Sequence, residues 1–256
     1  MSTPFFDVRG ANVIVTGGSR GIGLGIARGF VEAGANVLIA ARDARDCDAA
    51  ARELSKLGTC TSLPCDLSSV DGVTDLASRV TAKVPHLNVL VNNAGATWSE
   101  SLDTYPESQW DTVVDLNLKS PFFLTQRLLP LLRNASSAEN PARVINVGSI
   151  AGRNPMARES YAYAASKAGL QHLTLLMARH LAPGINVNAI APGAFETRMI
   201  GFALQQRAAL EAMVPRGRVG QGEDIAGVAI FLASRAGSYV TGAVIPVDGG
   251  LSLRNP

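Results

Sequence analysis

The chain has 256 residues, with 23 basic against 21 acidic side chains and a net charge of +2. That length suits one large α/β domain, and the balanced charge offers no basic tract for a nucleic acid or a membrane surface. No apolar run approaches the roughly 20 residues that span a bilayer. The stretch Met1–Asp7 lacks the basic start and apolar core of a secretory leader, so a cytoplasmic protein is expected.

In chain order, short β-branched runs alternate with longer helical patterns. Asn12–Thr16 reads as a buried strand, followed by a glycine-rich turn and a helix to about Ala33. Asn36–Ala41 is the second strand, and Asp43–Leu57 a helix capped by Asp43 and ended before Gly58. A strand near Thr61–Cys65, a helix over Ser69–Lys83 and a strand over Leu87–Asn92 continue the rhythm. Next comes a long helical region, Glu107–Arg133, with bends expected at Pro121 and Pro130. Arg143–Val147 is a strand, and the Ala-rich segment from Tyr161 leads into a long helix. Ile185–Ile190, a helix over Asp224–Ala233 and a last strand Ala243–Val247 complete the pattern. Such alternation predicts right-handed βαβ units: a doubly wound parallel α/β sheet with helices on both faces, in one domain spanning 1–256. The three cysteines (Cys47, Cys60, Cys65) have no CxxC spacing, and His86, His172 and His180 match no ligand spacing. Reduced thiols and no metal site are expected.

Four stretches carry chemistry. On the long helix Tyr163 and Lys167 are four apart and share a face, whereas Tyr161 meets only Ala165. A free tyrosine titrates near ~10. A neighbouring cation lowers that value and makes the phenol an acid/base. The same spacing also fits a packed tyrosine beside a solvated lysine. After the first strand stands Thr16-Gly-Gly-Ser-Arg-Gly-Ile-Gly23, where glycines let the backbone approach a diphosphate at a helix N-terminus, or make only a tight turn. Asn92-Asn-Ala-Gly95, Gly148-Ser149 and Ala191-Pro-Gly193 each follow a strand, at the edge where ligands gather in such sheets. Singly, Asn92 and Asn93 also serve as turn residues, and Ser149 as a helix cap.

Thr16-Gly-x-x-x-Gly-x-Gly23, Asn92-Asn-Ala-Gly95, Asn117, Ser149, Tyr163-x-x-x-Lys167 and Pro192-Gly-x-x-x-Thr197 together resemble the short-chain dehydrogenase/reductase family over nearly the whole chain. The resemblance implies a Rossmann-type fold, a nicotinamide cofactor and hydride transfer between its C4 and a carbonyl or alcohol carbon. It makes Tyr163 the acid/base, Lys167 the group that lowers its pKa and binds the nicotinamide ribose, and Ser149 the donor to the substrate oxygen. Asn117 would hold a water that connects Lys167 to solvent. Cofactor contacts are implied for Gly17, Ser19, Arg20, Gly21, Ile22, Gly23, Arg42, Asp66, Leu67, Asn93, Ala94, Gly95, Tyr163, Lys167, Pro192, Gly193 and Thr197. Among these, Asp66 is matched to the adenine amino group, Asn93 to the adenosine ribose, and Thr197 to the nicotinamide or diphosphate. A homotetramer assembled through the Trp110–Arg133 and Tyr163–Leu181 helices and the C-terminal strand region is also implied. Apolar surplus such as Leu124, Leu128, Leu129 and Leu132 with Leu170, Leu173, Leu175 and Leu176 supports it.

An NAD-selective site carries a carboxylate at the end of the second strand. Here neutral Ala41 stands there, Arg42 follows, and Arg20 adds a second cation. Two guanidiniums suit a 2′-phosphate, so NADPH/NADP+ is the expected cofactor; solvated surface charges are the plain alternative. Within the family the chain looks most like bacterial 3-oxoacyl-thioester reductases, especially the rhamnolipid-biosynthesis branch, on Ala41-Arg-Asp43, Leu128–Leu132, Ala138–Asn146 and Tyr161-Ala-Tyr163. It departs from the fatty-acid-synthesis members at Pro183, where they often have an arginine for docking a carrier protein, and at His180, in place of a common glutamate. The lid expected over 194–215 offers apolar Phe195, Met199, Ile200, Phe202 and Leu204 with Arg198 and Arg207. That pattern suits an acyl chain, and equally a helix packed on the domain. A 3-oxoacyl thioester, with an acyl carrier protein as a possible partner, stands ahead of a small ketone, sugar or polyol. A cofactor-binding protein without turnover is the reading of another class.

Overall fold

The computed structural model describes residues 4–137, 139–155, 158–196 and 207–253. Seven parallel strands form one sheet: β1 Asn12–Thr16, β2 Asn36–Ala40, β3 Cys60–Ser62, β4 Val89–Asn92, β5 Ala142–Val147, β6 Ile185–Pro192 and β7 Val244–Val247. Their order is β3-β2-β1-β4-β5-β6-β7. The chain reverses direction across the sheet between β1 and β4. That is the topological switch point, where the carboxyl ends of the strands open a crevice.

Helices cover both faces: α1 Gly21–Glu32, α2 Ala44–Leu54, α3 Val70–Thr81, α4 Glu107–Val114, α5 Ser120–Ala135, α6 Tyr161–Leu181, α7 Arg207–Met213 and α8 Gly222–Ala233. Strand alternation sorts the core into two layers. Val13 and Val15 of β1 pack with Ile26 and Phe30 of α1 and Ile225 of α8. Ile14, between them, points the other way, into the layer of Val73 and Leu76 of α3 and Leu128 of α5. The helix starts follow the capping rule: the Asp43 carboxylate accepts the Asp46 N–H at 2.9 Å, and the Ser69 hydroxyl that of Gly72 at 3.2 Å.

Three expectations need correction. The helical region after β4 is not continuous α-helix: a π-turn at Asp115–Lys119 interrupts it, ending two residues before Pro121. Pro121 follows in the first turn of α5, and Pro130 sits inside α5. Leu124, Leu128, Leu132 and Leu170 are not surface surplus but core; on α5 and α6 the large apolar side chains left exposed are Phe122, Leu175 and Leu176. Phe195, read as lid material, is buried in the α1/α8 layer, and its ring packs over Gly220. Of the other lid residues, Met199, Ile200, Phe202, Leu204 and Arg198 lie outside the described residues, as does Thr197. Arg207 pairs with Glu211 at 2.9 Å and with Glu196 at 3.5 Å.

Candidate active site

The turn from β1 into α1 is built by leaving side chains out. Gly17 and Gly21 take φ of 65° and 53°, in the left-handed region open to glycine. A Cβ on Gly23 would run into the Gly17 carbonyl oxygen and the Asn93 amide. Asn93 braces the turn, its Nδ2 donating to the carbonyls of Thr16 at 2.8 Å and Gly17 at 3.3 Å. Thr16 completes the joint: its Oγ1 accepts the backbone N–H of Asn93 at 2.9 Å and of Ala94 at 3.0 Å. Asn93 and Ala94 are therefore committed to shaping the cradle.

The first turn of α1 contains no acidic residue, and Arg20 at its N-cap makes no side-chain cap bond. Open amides, the positive end of the helix dipole and a Cβ-free approach fit a diphosphate. Beyond β2 the chain continues Ala41-Arg42-Asp43 with Arg42 exposed, as is Arg20, and no carboxylate at the strand's end. These residues fit the phosphorylated dinucleotide. Asp66 accepts the Ser68 N–H at 3.0 Å, and the Leu67 side chain belongs to the core. At the far side β6 ends in Pro192, and Gly193 donates to the Val247 carbonyl at 3.0 Å.

Across the crevice the wall consists of buried polar groups. The π-turn carries Asn117 to the interior, fully buried. Its Nδ2 donates to the Ala96 carbonyl at 2.9 Å and to the Ser166 hydroxyl at 3.0 Å, while its Oδ1 accepts the Ala96 N–H at 2.8 Å. Ser166 in turn donates to the Tyr163 carbonyl at 2.8 Å. The chain after β4 is thereby fixed to the first turns of α6. Gly95 lies against the same group: a Cβ there would sit 3.0 Å from Asn117 Oδ1 and 3.6 Å from Lys167 Nζ.

Lys167 is buried, and its Nζ donates to the Val147 carbonyl at 2.7 Å. Burial lowers its pKa to about 8. Its nitrogen is 5.8 Å from the centre of the Tyr163 ring. The expected depression of the Tyr163 pKa by Lys167 is not what this structure produces. Burial pushes the phenol up, and a hydrogen bond with the Ser149 hydroxyl pulls it partly back. The ammonium is turned toward Val147, and desolvation penalises both charged forms. Ser149 also accepts the Ala151 N–H at 3.1 Å, so the hydroxyl is at once a cap and a partner of Tyr163. Tyr161 is set apart, donating to the Glu159 carboxylate at 2.8 Å, which raises its pKa.

The structure brings Asn117, Ser149, Tyr163 and Lys167 together opposite the cradle. Two bracing residues escaped the sequence reading, Thr16 and Ser166. Their signal was present in outline: Thr16 opens the glycine stretch, and Ser166 lies between Tyr163 and Lys167.

Fold, cradle and a tyrosine–serine pair over a buried lysine define a Rossmann-type oxidoreductase. A family model described as enoyl-(acyl carrier protein) reductase matches residues 17–252, and the chain belongs to the short-chain dehydrogenase/reductase family. It is 50% identical over 254 residues to the rhamnolipids biosynthesis 3-oxoacyl-[acyl-carrier-protein] reductase of Pseudomonas aeruginosa, covering 98% of this chain and 99% of that one. It is 35% identical to the 2-dehydro-3-deoxy-D-gluconate 5-dehydrogenase of Escherichia coli, covering 97% and 98%. Among solved structures, the Pseudomonas aeruginosa RhlG/NADP active-site complex superposes with a TM-score of 0.95 at 49% identity, covering 98% and 99%. Among the described residues no helix is long and apolar enough to cross a membrane.

Proposed function

We propose that the chain reduces a 3-oxoacyl thioester to the 3-hydroxyacyl thioester with NADPH. The observation that carries this reading is the gathering of Asn117, Ser166, Tyr163 and Lys167 on one buried wall at the crevice edge of β5 and α6, with the Ser149 hydroxyl beside the phenol. Two O–H donors converging on one point suit a carbonyl oxygen that gains charge as it is reduced. The nicotinamide, when bound, supplies hydride to the carbonyl carbon. Tyr163, held protonated by its buried setting, gives the oxygen its proton, and Ser149 holds that oxygen in line. Asn117 fixes the wall through Ala96 and Ser166, while Lys167 presents an amine close to Tyr163. Gly17, Ser19, Gly21, Ile22 and Gly23 take the diphosphate, and Arg20 and Arg42 the 2′-phosphate. Ala94, Gly95, Pro192 and Gly193 line the nicotinamide side, and Asp66 and Leu67 the adenine side.

The identity to a 3-oxoacyl reductase supports the thioester substrate. The identity to a gluconate-type dehydrogenase keeps a sugar or polyol as the second reading. Initial rates with NADPH and an acetoacetyl thioester, longer 3-oxoacyl thioesters, simple ketones and keto-sugars decide between them. The first reading requires thioesters to lead, with longer chains at least as good; faster turnover of a keto-sugar overturns it. A carrier protein would present the acyl chain, and the enzyme would act in the cytoplasm as a homotetramer. Exposed Phe122, Leu175 and Leu176 on α5 and α6, with Tyr239 and Leu253 near the C-terminus, support that assembly. Light scattering at micromolar concentration should give four chain masses, and a single-chain mass would refute it.

A further inference from the structure

Successive i+4 steps along α6 from Tyr163 pass through Lys167 to Gln171, so the three side chains leave the helix on neighbouring parts of one face. Gln171 has no place in the chemistry proposed above, yet it is buried, at 5% exposure. A buried amide is retained where its hydrogen bonds are made. Its Nε2 donates to the backbone carbonyl of Ser149 at 2.6 Å, an oxygen that also accepts the Gly152 N–H at 3.1 Å. Lys167 meets the Val147 carbonyl, two residues upstream. The helix therefore grips the exit of β5 at two carbonyls on either side of Gly148.

Room for that grip is provided from the strand side. A Cβ on Gly148 would lie 3.1 Å from the Gln171 Nε2, and one on Gly152 2.8 Å from it. Ser149 sits between them in extended backbone, φ −168° and ψ 153°, immediately before the 3-10 turn Ile150–Gly152. At such a junction the orientation of the peptide plane decides where the side chain points. Of the two ties, only that from Gln171 is independent of the lysine whose amine the proposed function uses elsewhere.

We propose that Gln171 is a positioning residue: by holding the Ser149 carbonyl, it aims the Ser149 hydroxyl at Tyr163 and at the substrate oxygen beside it. The inference rests on the role given to Ser149 above. Its test is a double-mutant cycle, with Gln171→Met and Ser149→Ala made singly and together. Methionine keeps the length and apolar stem of the side chain but removes the donor. With NADPH and an acetoacetyl thioester, Gln171→Met should lower kcat by roughly ten- to a hundredfold, the scale of a small misalignment at a reacting group. NADPH affinity, read by the quenching of protein fluorescence, should stay within about twofold of wild type, the scale on which distant sites act independently. In the Ser149→Ala background the same substitution should change kcat little, because no hydroxyl remains to be aimed. Gly148→Ala, which presses on the Gln171 amide from the strand, should show the same dependence on Ser149 and serves if Gln171→Met does not fold. An undiminished loss from either substitution in the Ser149→Ala background overturns the proposal and leaves the role of Ser149 standing. Wild-type turnover in Ser149→Ala alone overturns both.

Discussion

The glycine cradle after β1 and the wall between β5 and α6 face the same crevice but are built on opposite terms. The cradle works by omission: at Gly23 no side chain fits, the helix start carries no acid, and the surface offered is backbone. The wall works by inclusion, with Asn117, Ser149, Ser166, Lys167 and Gln171 all buried and each hydrogen-bonded within the protein. An anion needs donors that are already aimed, which backbone amides at a helix start provide. Proton transfer instead needs an acid that keeps its proton until the substrate oxygen takes it, and burial keeps the Tyr163 phenol protonated while it lowers the Lys167 pKa to about 8.

If the wall is where protons move, the largest effect should come from its phenol. Tyr163→Phe keeps the ring and removes the proton, so carbonyl reduction should fall by at least about 10²–10⁴-fold, the range of general acid catalysis. The cradle is untouched, and NADPH should bind as before. Tyr161→Phe is the control: its hydroxyl is tied to Glu159 and should be dispensable for turnover. Near-normal rates in Tyr163→Phe, or an equal loss in Tyr161→Phe, would reverse the assignment.

Burial of Lys167 predicts the next largest effect, on stability. Its pKa is about 8 in the folded chain against an ordinary 10.5, so the unfolded chain binds more protons between those values. Stability should therefore rise as pH climbs from about 8 toward 10.5, and the burden of the buried charge is complete below about 8. A shift of that size corresponds to about 3 kcal/mol, offset by about 1.5–3 kcal/mol for the charge-assisted hydrogen bond to Val147. Without cofactor, Lys167→Met should be the more stable chain at pH 7 by up to about 2 kcal/mol, and it should lose the alkaline rise while losing activity. Urea unfolding at pH 7 and pH 9.5 measures both. A Lys167→Met chain less stable than wild type at pH 7 would show the amine to be a net structural tie.

The same contrast explains what the sequence disclosed. Missing side chains leave a pattern: the glycines from Gly17 to Gly23, their place after a strand, and Ala41 where an acid would stand were all legible. The parallel sheet and the crevice at its carboxyl edge followed from βαβ alternation, whereas the order of the strands came only with the structure. The wall was legible only in its reacting residues. Nothing local to Asp115–Lys119 announces a π-turn, because its reward is tertiary: it carries Asn117 inward to Ala96 and Ser166. The direction of the Tyr163 shift was misread for a related reason. Helical spacing places Lys167 near the ring, but desolvation and the pull of the Val147 carbonyl come from the surrounding sheet. Phe195 looked like lid material because it adjoins a run of apolar residues. The parallel bridge between Phe195 and Gly220, which draws the ring into the core, joins positions 25 residues apart.

The smallest expected effect falls on the cradle and concerns discrimination rather than rate. Arg42 stands two residues beyond the end of β2, exposed, with the neutral Ala41 before it. Arg20, exposed at the N-cap of α1, provides a second cation from the other side of the turn. A guanidinium can meet two oxygens of a 2′-phosphate at once, whereas a free 2′-hydroxyl offers it little. Each charge-assisted hydrogen bond contributes ~1.5–3 kcal/mol, so Arg42→Ala should raise the Michaelis constant for NADPH by roughly ten- to a hundredfold. That for NADH should hardly move, and kcat at saturation should be retained because the wall is intact. Arg20→Ala should act in the same direction, and more salt should weaken NADPH binding in wild type more than in either variant, since the cations are exposed to screening. Parallel steady-state titrations with the two cofactors give the answer. A wild-type enzyme that prefers NADH, or an Arg42→Ala enzyme that loses both cofactors equally, would mean that these arginines are solvated surface charges and that the cradle reads only the diphosphate.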